Sequence, residues 1–399
     1  MAVSGARTVL VRFSGFEEVV LDFSEDASNF MEDVIKKSDF ILSPYMKSND
    51  LRATYQLLNT LVPYVFLWFL AVKAAAISVF LLPPIIALLV LFSLRCFSLM
   101  HDCGHYALFR SKKVNRVAGF VLGLINAIPQ HWWSRDHAYH HKTNGDWERY
   151  RSIGDFLSTD EFAQLSPFDQ KLYGVLRQPW MIFPGGFFYL AFKPRLILIA
   201  ETYSFLIHAV RHLKQHSFHN LSAIVATYKA KNWSTAGEFW DVLLNNIFVI
   251  SGWIILCRWL GTAFFLGTYS IVLMFSAAIF ICVFFVQHNF EGAYAHGTEG
   301  WDYLQGAIAG SSYLDIPEIF KWFTADISYH SIHHLSERIP NYNLRACHEK
   351  NRHLLSTVKA VRFKDMPACS KLILWDAQTN RLVSIKNFQR QTATARSYV

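Results

Sequence analysis

Charged side chains are scarce in this chain: Asp, Glu, Lys and Arg make up 17% of its 399 residues. Hydrophobic residues make up 52%, and the mean hydropathy of +0.20 is too high for an ordinary soluble domain. The net charge of +8 is dispersed, and no basic run is concentrated enough for a nucleic-acid footprint. The composition therefore predicts an integral membrane protein and no nucleic-acid partner.

The chain also lacks Cys-x-x-Cys pairs, although it has six cysteines, which argues against a fused rubredoxin or zinc ribbon. Several cysteines lie in or beside apolar segments, so we expect them to be reduced and mainly structural. The first 50 residues scatter acids among apolar residues and form no clean apolar core, so we expect no signal peptide there.

Four segments are apolar and long enough to cross a bilayer, which takes roughly 17–25 residues. Lys73 and Gly261 are expected to mark the turns of two helical hairpins, and Pro83 and Pro84 are expected to kink the second span. The predicted spans are 55–72, 75–100, 244–260 and 261–286.

The stretch between the hairpins, residues 101–243, carries 16 Lys and Arg against 11 Asp and Glu, whereas the turns within each hairpin are almost uncharged. The positive-inside rule therefore places both termini and this stretch in the cytoplasm. Two apolar segments inside it, 117–128 and 180–210, are interpreted as interfacial or re-entrant helices, because Pro184 and Pro194 interrupt the second.

These features predict an all-α integral membrane fold with three regions. Residues 1–54 form a cytosolic N-terminal segment, and residues 55–350 form a membrane domain whose cytosolic cap comprises 101–243 and 287–350. Residues 351–399 form a soluble tail, in which apolar alternation on each side of a polar turn predicts a short β-hairpin.

Eight histidines fall in three clusters with the spacing of metal ligands. The first is His-x-x-x-His at 101–105, and the others repeat His-x-x-His-His at 137–141 and 330–334. Positions i, i+3 and i+4 share one helix face, so each cluster can direct its imidazoles to a common point. His288 follows the fourth span as His101 follows the second, which places all four sites at the cytoplasmic mouth of a helix bundle. The candidate metal ligands are His101, His105, His137, His140, His141, His288, His330, His333 and His334.

A single His-x-x-x-His motif more often marks a surface helix, but three clusters on one side of a membrane favour metal binding. Nine imidazoles exceed the four ligands of a tetrahedral ion and suit two metals, without naming the metal. We interpret His131 as interfacial, His296 as part of a polar loop, and His208, His212 and His216 as one wet face of an interfacial helix. Candidate partners for the outer ring nitrogens are Asp102, Asp136, Asp146, Asn289 and Glu291.

The spans and clusters together resemble the membrane-bound fatty acid desaturase family over most of the chain. His101-Asp-Cys-Gly-His105 resembles the first histidine box of acyl-lipid members, and His137–His141 with the following Lys-Thr-Asn resembles the second. His330–His334 with the following Leu-Ser-Glu-Arg-Ile-Pro-Asn-Tyr resembles the third box of bacterial members. His288 lies where the family has an additional ligand, and Leu374-Trp375-Asp376 resembles the tail of bacterial members.

The resemblance implies an oxygen-dependent enzyme with two iron ions (Fe²⁺/Fe³⁺) held by these histidines. With O₂ and two electrons from an external donor, such an enzyme removes two adjacent hydrogens from an acyl chain and leaves a double bond and water. The acyl chain would be carried by a membrane lipid, CoA or acyl-carrier protein. The third box favours the inner membrane of a bacterium, with the active site on the cytoplasmic side.

The electron donor is expected to be a separate protein. Phe183-Pro-Gly-Gly lacks the histidine of the His-Pro-Gly-Gly haem motif of a fused cytochrome b5, and no Gly-x-Gly-x-x-Gly fingerprint marks a reductase domain. A ferredoxin or cytochrome b5 is therefore expected to dock on the basic cytoplasmic face, where Arg135, Lys142 and Arg149 are candidate contacts.

Other functions remain open on the same residues. A hydroxylase, ketolase or acetylenase would use the same metal site and differ in the mass of its product. A zinc-dependent lipid hydrolase or amidase also suits histidine ligands, but nine of them would leave zinc no open position for water. A transporter would place ionisable residues deep inside its spans, whereas these histidines lie just outside them.

Ligand counting predicts the effect of three histidine substitutions. His140→Ala and His333→Ala should each abolish activity without unfolding the bundle, whereas His212→Ala should be nearly silent. Acyl products from cells expressing each variant, together with its gel-filtration profile, provide the measurement. Equal loss of activity in all three variants would contradict this division of the histidines.

Overall fold

The structure, a computed structural model, describes residues 35–152, 154–215 and 221–397, so His216 and most of the predicted N-terminal segment lie outside the described residues. The chain divides into two compact units, Met1–Phe40 and Ile41–Val399. The described part of the first contains a 3-10 helix at Lys37–Asp39. The second is mostly helical, as the composition predicts.

The described part of the second unit forms seventeen α-helices and four short strands. The helices are α1 (Asp50–Ile77), α2 (Leu82–Gly104), α3 (Lys112–Ile125), α4 (Gln130–Thr143), α5 (Thr159–Gln164), α6 (Pro167–Leu176), α7 (Ile182–Ala191), α8 (Lys193–Gln215), α9 (Leu221–Thr227), α10 (Ala236–Leu260), α11 (Thr262–His288), α12 (Tyr303–Ile308), α13 (Glu318–Phe323), α14 (His330–Leu335), α15 (Asn341–Lys350), α16 (Met366–Cys369) and α17 (Ile385–Ser397). The strands are β1 (Tyr313–Asp315), β2 (Ala360–Arg362), β3 (Leu374–Asp376) and β4 (Arg381–Val383).

Five of the described helices are long and apolar enough to cross a membrane. Four of them, α1, α2, α10 and α11, correspond to the predicted spans. Helices α1, α10 and α11 are longer than the sequence pattern indicates, whereas α2 begins seven residues later than predicted, at Leu82. The fifth is Lys193–Lys214 of α8, which overlaps the segment interpreted from the sequence as interfacial or re-entrant.

Two expectations about the first hairpin are wrong. Pro83 and Pro84 begin α2 instead of kinking a span, because the first helical turn has no intrahelical acceptor for its N–H groups. Lys73 lies inside α1, and the connection runs through Ser78 and a 3-10 turn. Gly261 does link α10 to α11, with a φ of +88° that suits glycine.

The contact between α2 and α11 forms the centre of the bundle. The rings of Phe97 and Phe280 stack with their centroids 4.0 Å apart, and both residues are almost fully buried. One turn deeper, the hydroxyls of Ser93 and Ser276 are 3.3 Å apart. Because α1–α2 and α10–α11 are hairpins of similar length, this packing brings the ends of α2 and α11 to the same level.

Asp241 on α10 fixes the start of α4 beside that level. Its carboxylate accepts hydrogen bonds from the backbone N–H groups of His131 and Trp132, which have no acceptor inside α4. Arg135 on α4 donates in return to the buried carboxylate of Glu238, at 2.6 Å. Asp241 and Glu238 on α10 therefore both hold α4 against α10.

Helices α7 and α8 run along the outside of this bundle. A Cβ added to Gly186 on α7 would lie 2.8 Å from the Cβ of Ala277, so α7 packs closely on α11. At the start of α8, the guanidinium of Arg195 donates to the side-chain carbonyl of Asn245. Further along α8, the carboxylate of Glu201 accepts hydrogen bonds from the backbone N–H groups of Lys231 and Asn232, just before α10 begins.

The tail after the third histidine cluster packs on the helical bundle. Strands β3 and β4 pair antiparallel, which confirms the predicted hairpin, and Trp375 of β3 is buried against Trp147. The parallel pair of β1 and β2 was not expected, because each strand has only three residues and they are far apart in the sequence.

Candidate metal centre

Five of the nine candidate ligands form a first group at the ends of α2, α4 and α14. One ring nitrogen of each lies within 4.8 Å of one ring nitrogen of every other. The Nε2 atom of His137 is 2.8 Å from that of His101 and 3.0 Å from that of His141. The group consists of His101, His105, His137, His141 and His333.

The other four candidates form a second group with the same internal spacing. The Nε2 atom of His288 is 3.1 Å from that of His140 and 2.9 Å from that of His330. His334 Nε2 lies 3.1 Å from His330 Nε2. The groups are adjacent, since the His141 and His334 rings stack with centroids 4.3 Å apart.

The two His-x-x-His-His helices each supply both groups. In α4, His137 and His141 are four residues apart and face the first group, while His140 faces the second. In α14 the division is reversed, because His330 and His334 face the second group and His333 faces the first. This division explains the repeated motif. Three histidines at positions i, i+3 and i+4 span an angle around the helix that is wide enough to reach both groups.

Seven of the cluster histidines are held in the neutral form that binds metals. Burial, followed by the charge of neighbouring histidines, lowers the pKa values of His137, His141, His330, His333 and His334 well below the ordinary value. The pKa of His140 is lowered by burial and then by His288, and that of His105 by burial and then by His101. Neutral imidazoles keep an unprotonated nitrogen as a metal ligand.

The geometry fits a pair of metal ions. Both ring nitrogens of buried His333 have no hydrogen-bond partner among the described residues. In both groups, other histidines face each other with their Nε2 atoms at hydrogen-bond distance. Nitrogen ligands that converge on one ion have this arrangement. Neither group contains a cysteine or carboxylate, and imidazole suits iron, zinc, copper and nickel.

Three outer contacts orient the rings. Asp102 Oδ1 lies 3.3 Å from His101 Nδ1, and its Oδ2 accepts two hydrogen bonds from Asn341. The carbonyl of Gly310 lies 2.9 Å from His288 Nδ1. Glu337 lies 3.7 Å from His105 Nδ1 and 3.9 Å from His141 Nδ1. The sequence pattern did not indicate Glu337, although it stands three residues after the third cluster.

The other proposed outer partners lie elsewhere. No hydrogen bond or ion pair joins them to the nine histidines in the described part of the chain. Asp136 pairs with Arg135, buried Asp146 pairs with Arg149, and Asn289 accepts a hydrogen bond from Ser152. Glu291 is exposed. The histidines that received non-metal interpretations and are described also lie outside both groups: His131, His208, His212 and His296.

A narrow cavity adjoins the first group between α2 and α11. Its lining is mostly apolar, and the ring of Phe284 forms part of it. The Phe284 centroid is 5.7 Å from that of His101 and 5.9 Å from that of His330, so this ring contacts both groups. The remaining lining residues are Leu94, Ser98, His101, Asp102, Phe280, Val283, Thr324, Ala325 and Ile327.

Comparison with known proteins gives a consistent result. The sequence model of the fatty acid desaturase family matches residues 75–364. The chain is 29% identical over 333 residues to a fatty acid desaturase of Bacillus subtilis, covering 83% of this chain and 85% of that protein. It is 24% identical over 350 residues to a chloroplastic omega-6 fatty acid desaturase of Arabidopsis thaliana, covering 86% and 67%. It is 25% identical over 250 residues to the sn-1 oleoyl-lipid 12-desaturase of a Picosynechococcus species, covering 62% of each chain.

Asp102 and Asp136 form a matched pair for testing the outer contacts, because each stands beside a cluster histidine in the sequence. Asp102→Asn should weaken metal binding about 10- to 100-fold, since it weakens the acceptor for His101 Nδ1. Asp136→Asn should leave metal binding unchanged, because its carboxylate contacts Arg135. Metal retained during titration with a chelator provides the measurement. Equal retention in both variants would contradict the role of Asp102.

Proposed function

This chain belongs to the fatty acid desaturase family and is an oxidoreductase of lipid metabolism, and we propose that it desaturates acyl chains at two iron ions held by the nine histidines. The observation that carries this proposal is the convergence of these histidines into two adjacent buried groups of five and four. Zinc fits less well, because a catalytic zinc site has three protein ligands and an open position.

When bound, the iron pair supplies the redox chemistry with which O₂ and two electrons remove two hydrogens from an unactivated acyl chain. We propose that only the reacting carbons of that chain enter the cavity beside His101, which has a volume of about 10 Å³ and in which Phe280, Phe284 and neighbouring aliphatic side chains exclude water. Phe284 contacts both histidine groups, so acyl carbons beside this ring would lie near the residues that would hold the two ions. Burial lowers the pKa values of His137, His141, His330, His333 and His334, which keeps these imidazoles unprotonated while water is excluded.

The chain associates with the membrane, and we propose that four helices cross it: α1, α2, α10 and α11. Helix α8 begins beside Asn245, about 13 Å along α10 from its start at Ala236. Two turns later Glu201 binds Asn232, which precedes α10, and His208 contacts Thr227. Helix α8 therefore rises out of the bundle at the end where the histidines lie, and it does not descend to Gly261.

Both termini and the histidine groups then lie on one side, which the charge distribution assigns to the cytoplasm. The third histidine box and the similarity to the Bacillus subtilis protein favour the inner membrane of a bacterium. Residues 55–350 form the membrane domain and residues 351–399 form the tail.

Single cysteines at exposed positions test this topology. Lys214→Cys and Lys364→Cys should react with a membrane-impermeant maleimide from the same side, and Thr262→Cys from the opposite side. The unsubstituted protein, whose six cysteines are free, gives the background labelling. Labelling of Lys214→Cys together with Thr262→Cys would establish α8 as a fifth span.

The substrate is a lipid, and we propose that its acyl chain is carried by a membrane lipid, CoA or acyl-carrier protein and that electrons arrive from a separate ferredoxin or cytochrome b5. Of the basic residues singled out near the second cluster, Arg135 and Arg149 already pair with carboxylates, at Glu238 and Asp146. Lys142 is exposed and forms no ion pair among the described residues. Lys142 is therefore the most available contact for an acidic carrier.

Lys142→Gln should raise the donor concentration needed for half-maximal turnover, and added salt should reduce the difference from the unsubstituted enzyme. Lys364→Gln, an exposed substitution in the tail, serves as the control. Turnover assayed with limiting ferredoxin or cytochrome b5 gives the measurement. An identical donor dependence in both variants would count against docking at α4.

Mass spectrometry of total fatty acids tests the reaction itself. Cells expressing this chain should contain acyl species lighter by two hydrogens, and cells expressing His330→Ala should lack them. Species heavier by one oxygen atom would instead assign a hydroxylase to the same site. If neither product forms with a donor supplied, the iron and zinc contents of the purified protein decide whether an oxidase function survives.

A further inference from the structure

Arg95 is a fully buried cation within a membrane-spanning helix. It lies on α2, six residues before His101, and its residue exposure is 1%. No ion pair reaches it among the described residues. A charge buried inside a membrane domain is costly, so a retained one usually has a functional or structural task.

The hydrogen-bond partners of Arg95 are neutral and join three elements, and the carboxylate of Asp326 attracts its charge. Its Nε donates to the hydroxyl of Thr60 on α1 at 3.0 Å, and Nη1 donates to the backbone carbonyl of Trp322. The guanidinium also lies over the indole of Trp322, with Cζ 3.8 Å from the ring centroid. Arg95 thus connects α1 and α2 to the C-terminal end of α13.

The Trp322 carbonyl is also part of an unusual turn. It accepts a hydrogen bond from the Ala325 N–H at 3.1 Å. Ala325 and Asp326 have φ values of +50° and +54°, a left-handed conformation that non-glycine residues seldom adopt. Two such residues in succession persist only where surrounding contacts impose them. Arg95 supplies one of these contacts, as a cation at the end of α13.

This turn forms one wall of the cavity beside the first histidine group. Thr324, Ala325 and Ile327 line the cavity, and Leu94, which precedes Arg95 on α2, lines it from the other side. Arg95 itself is not a lining residue. It therefore acts from behind the wall and fixes the distance between α2 and the turn.

We propose that Arg95 is a positioning residue that sets where along the acyl chain the double bond forms. The inference depends on the proposed function, in which the reacting carbons of the acyl chain enter the cavity. With the wall fixed, one pair of carbons lies beside the histidine groups. A displaced wall lets the chain slide, so neighbouring pairs of carbons become reactive. Shifts of about 1 Å are enough to change reaction rates by orders of magnitude.

Arg95→Met, which keeps an unbranched apolar stem but removes the charge and the donors, should yield a second positional isomer. We expect that isomer to rise about tenfold over its level with the unsubstituted enzyme. Arg95→Lys keeps the charge and should restore most of the original product, although it lacks the planar fork. Fragmentation mass spectrometry of derivatised products locates the double bond.

Arg195→Met is the matched control. Arg195 also donates to backbone carbonyls within the bundle, those of Ala127 and Leu190, but it does not contact the cavity wall. Its loss should lower the yield of folded protein without moving the double bond. An equal change of double-bond position in Arg195→Met would overturn a specific role for Arg95.

Ala325→Gly keeps the inference testable if Arg95→Met does not fold. Glycine adopts φ of +50° without strain, so the protein should fold while the wall loses its Cβ and its rigidity. This variant should also yield a second positional isomer. An unchanged double-bond position in Ala325→Gly, and in any folded Arg95→Met, would refute the inference. Absence of unsaturated product from the unsubstituted enzyme would instead refute the proposed function.

Discussion

The convergence of nine histidine side chains in a buried site is the constraint on which the rest of this structure depends. Their facing nitrogens lie 2.8–3.4 Å apart, and both nitrogens of His333 have no hydrogen-bond partner in the described structure. Converging nitrogen lone pairs repel each other in an apolar site unless a cation lies between them. The surrounding helices must therefore hold the rings in place through contacts of their own, which explains the polar anchors around the site. Asp102 with Asn341, Gly310 with His288, and Asp241 at the start of α4 are such anchors.

The division of the ligands couples the helices to one another. Helix α4 gives two histidines to the first group and one to the second, and α14 gives the opposite numbers. A rotation of either helix would displace ligands from both groups at once. The two histidines at the end of α2 and the single histidine of α11 reach the groups only because these two helices end at the same level, where Phe97 and Phe280 stack below them. The packing of the membrane helices therefore determines the geometry of the site.

The sequence was sufficient to predict the parts whose signals are local. The histidine spacing predicted which rings share a helix face, and long apolar runs predicted α1, α2, α10 and α11. Contacts between residues that are far apart in the sequence could not be predicted from it. Glu337 and Gly310 approach histidines through tertiary packing, and β1 pairs with β2 across 44 intervening residues. Adjacency in the sequence was misleading for Asp136, because residue 136 faces Arg135 on α4 and not the histidines. Proline was misread because its effect depends on whether it begins a helix or interrupts one.

Arg95 shows that a mostly apolar segment can contain a charged residue with a structural role. A hydropathy window averages one arginine with its neighbours, so the second span looked uniformly apolar in sequence. The structure shows that this side chain replaces water with a hydroxyl, a carbonyl and an indole face, and that the carboxylate of Asp326 in the same turn attracts its charge without forming an ion pair. A cation held behind the turn in this way can stiffen the wall of the cavity while the cavity itself keeps a mostly apolar lining. One side of this turn therefore lines the apolar cavity, and the other side is held by the charged Arg95.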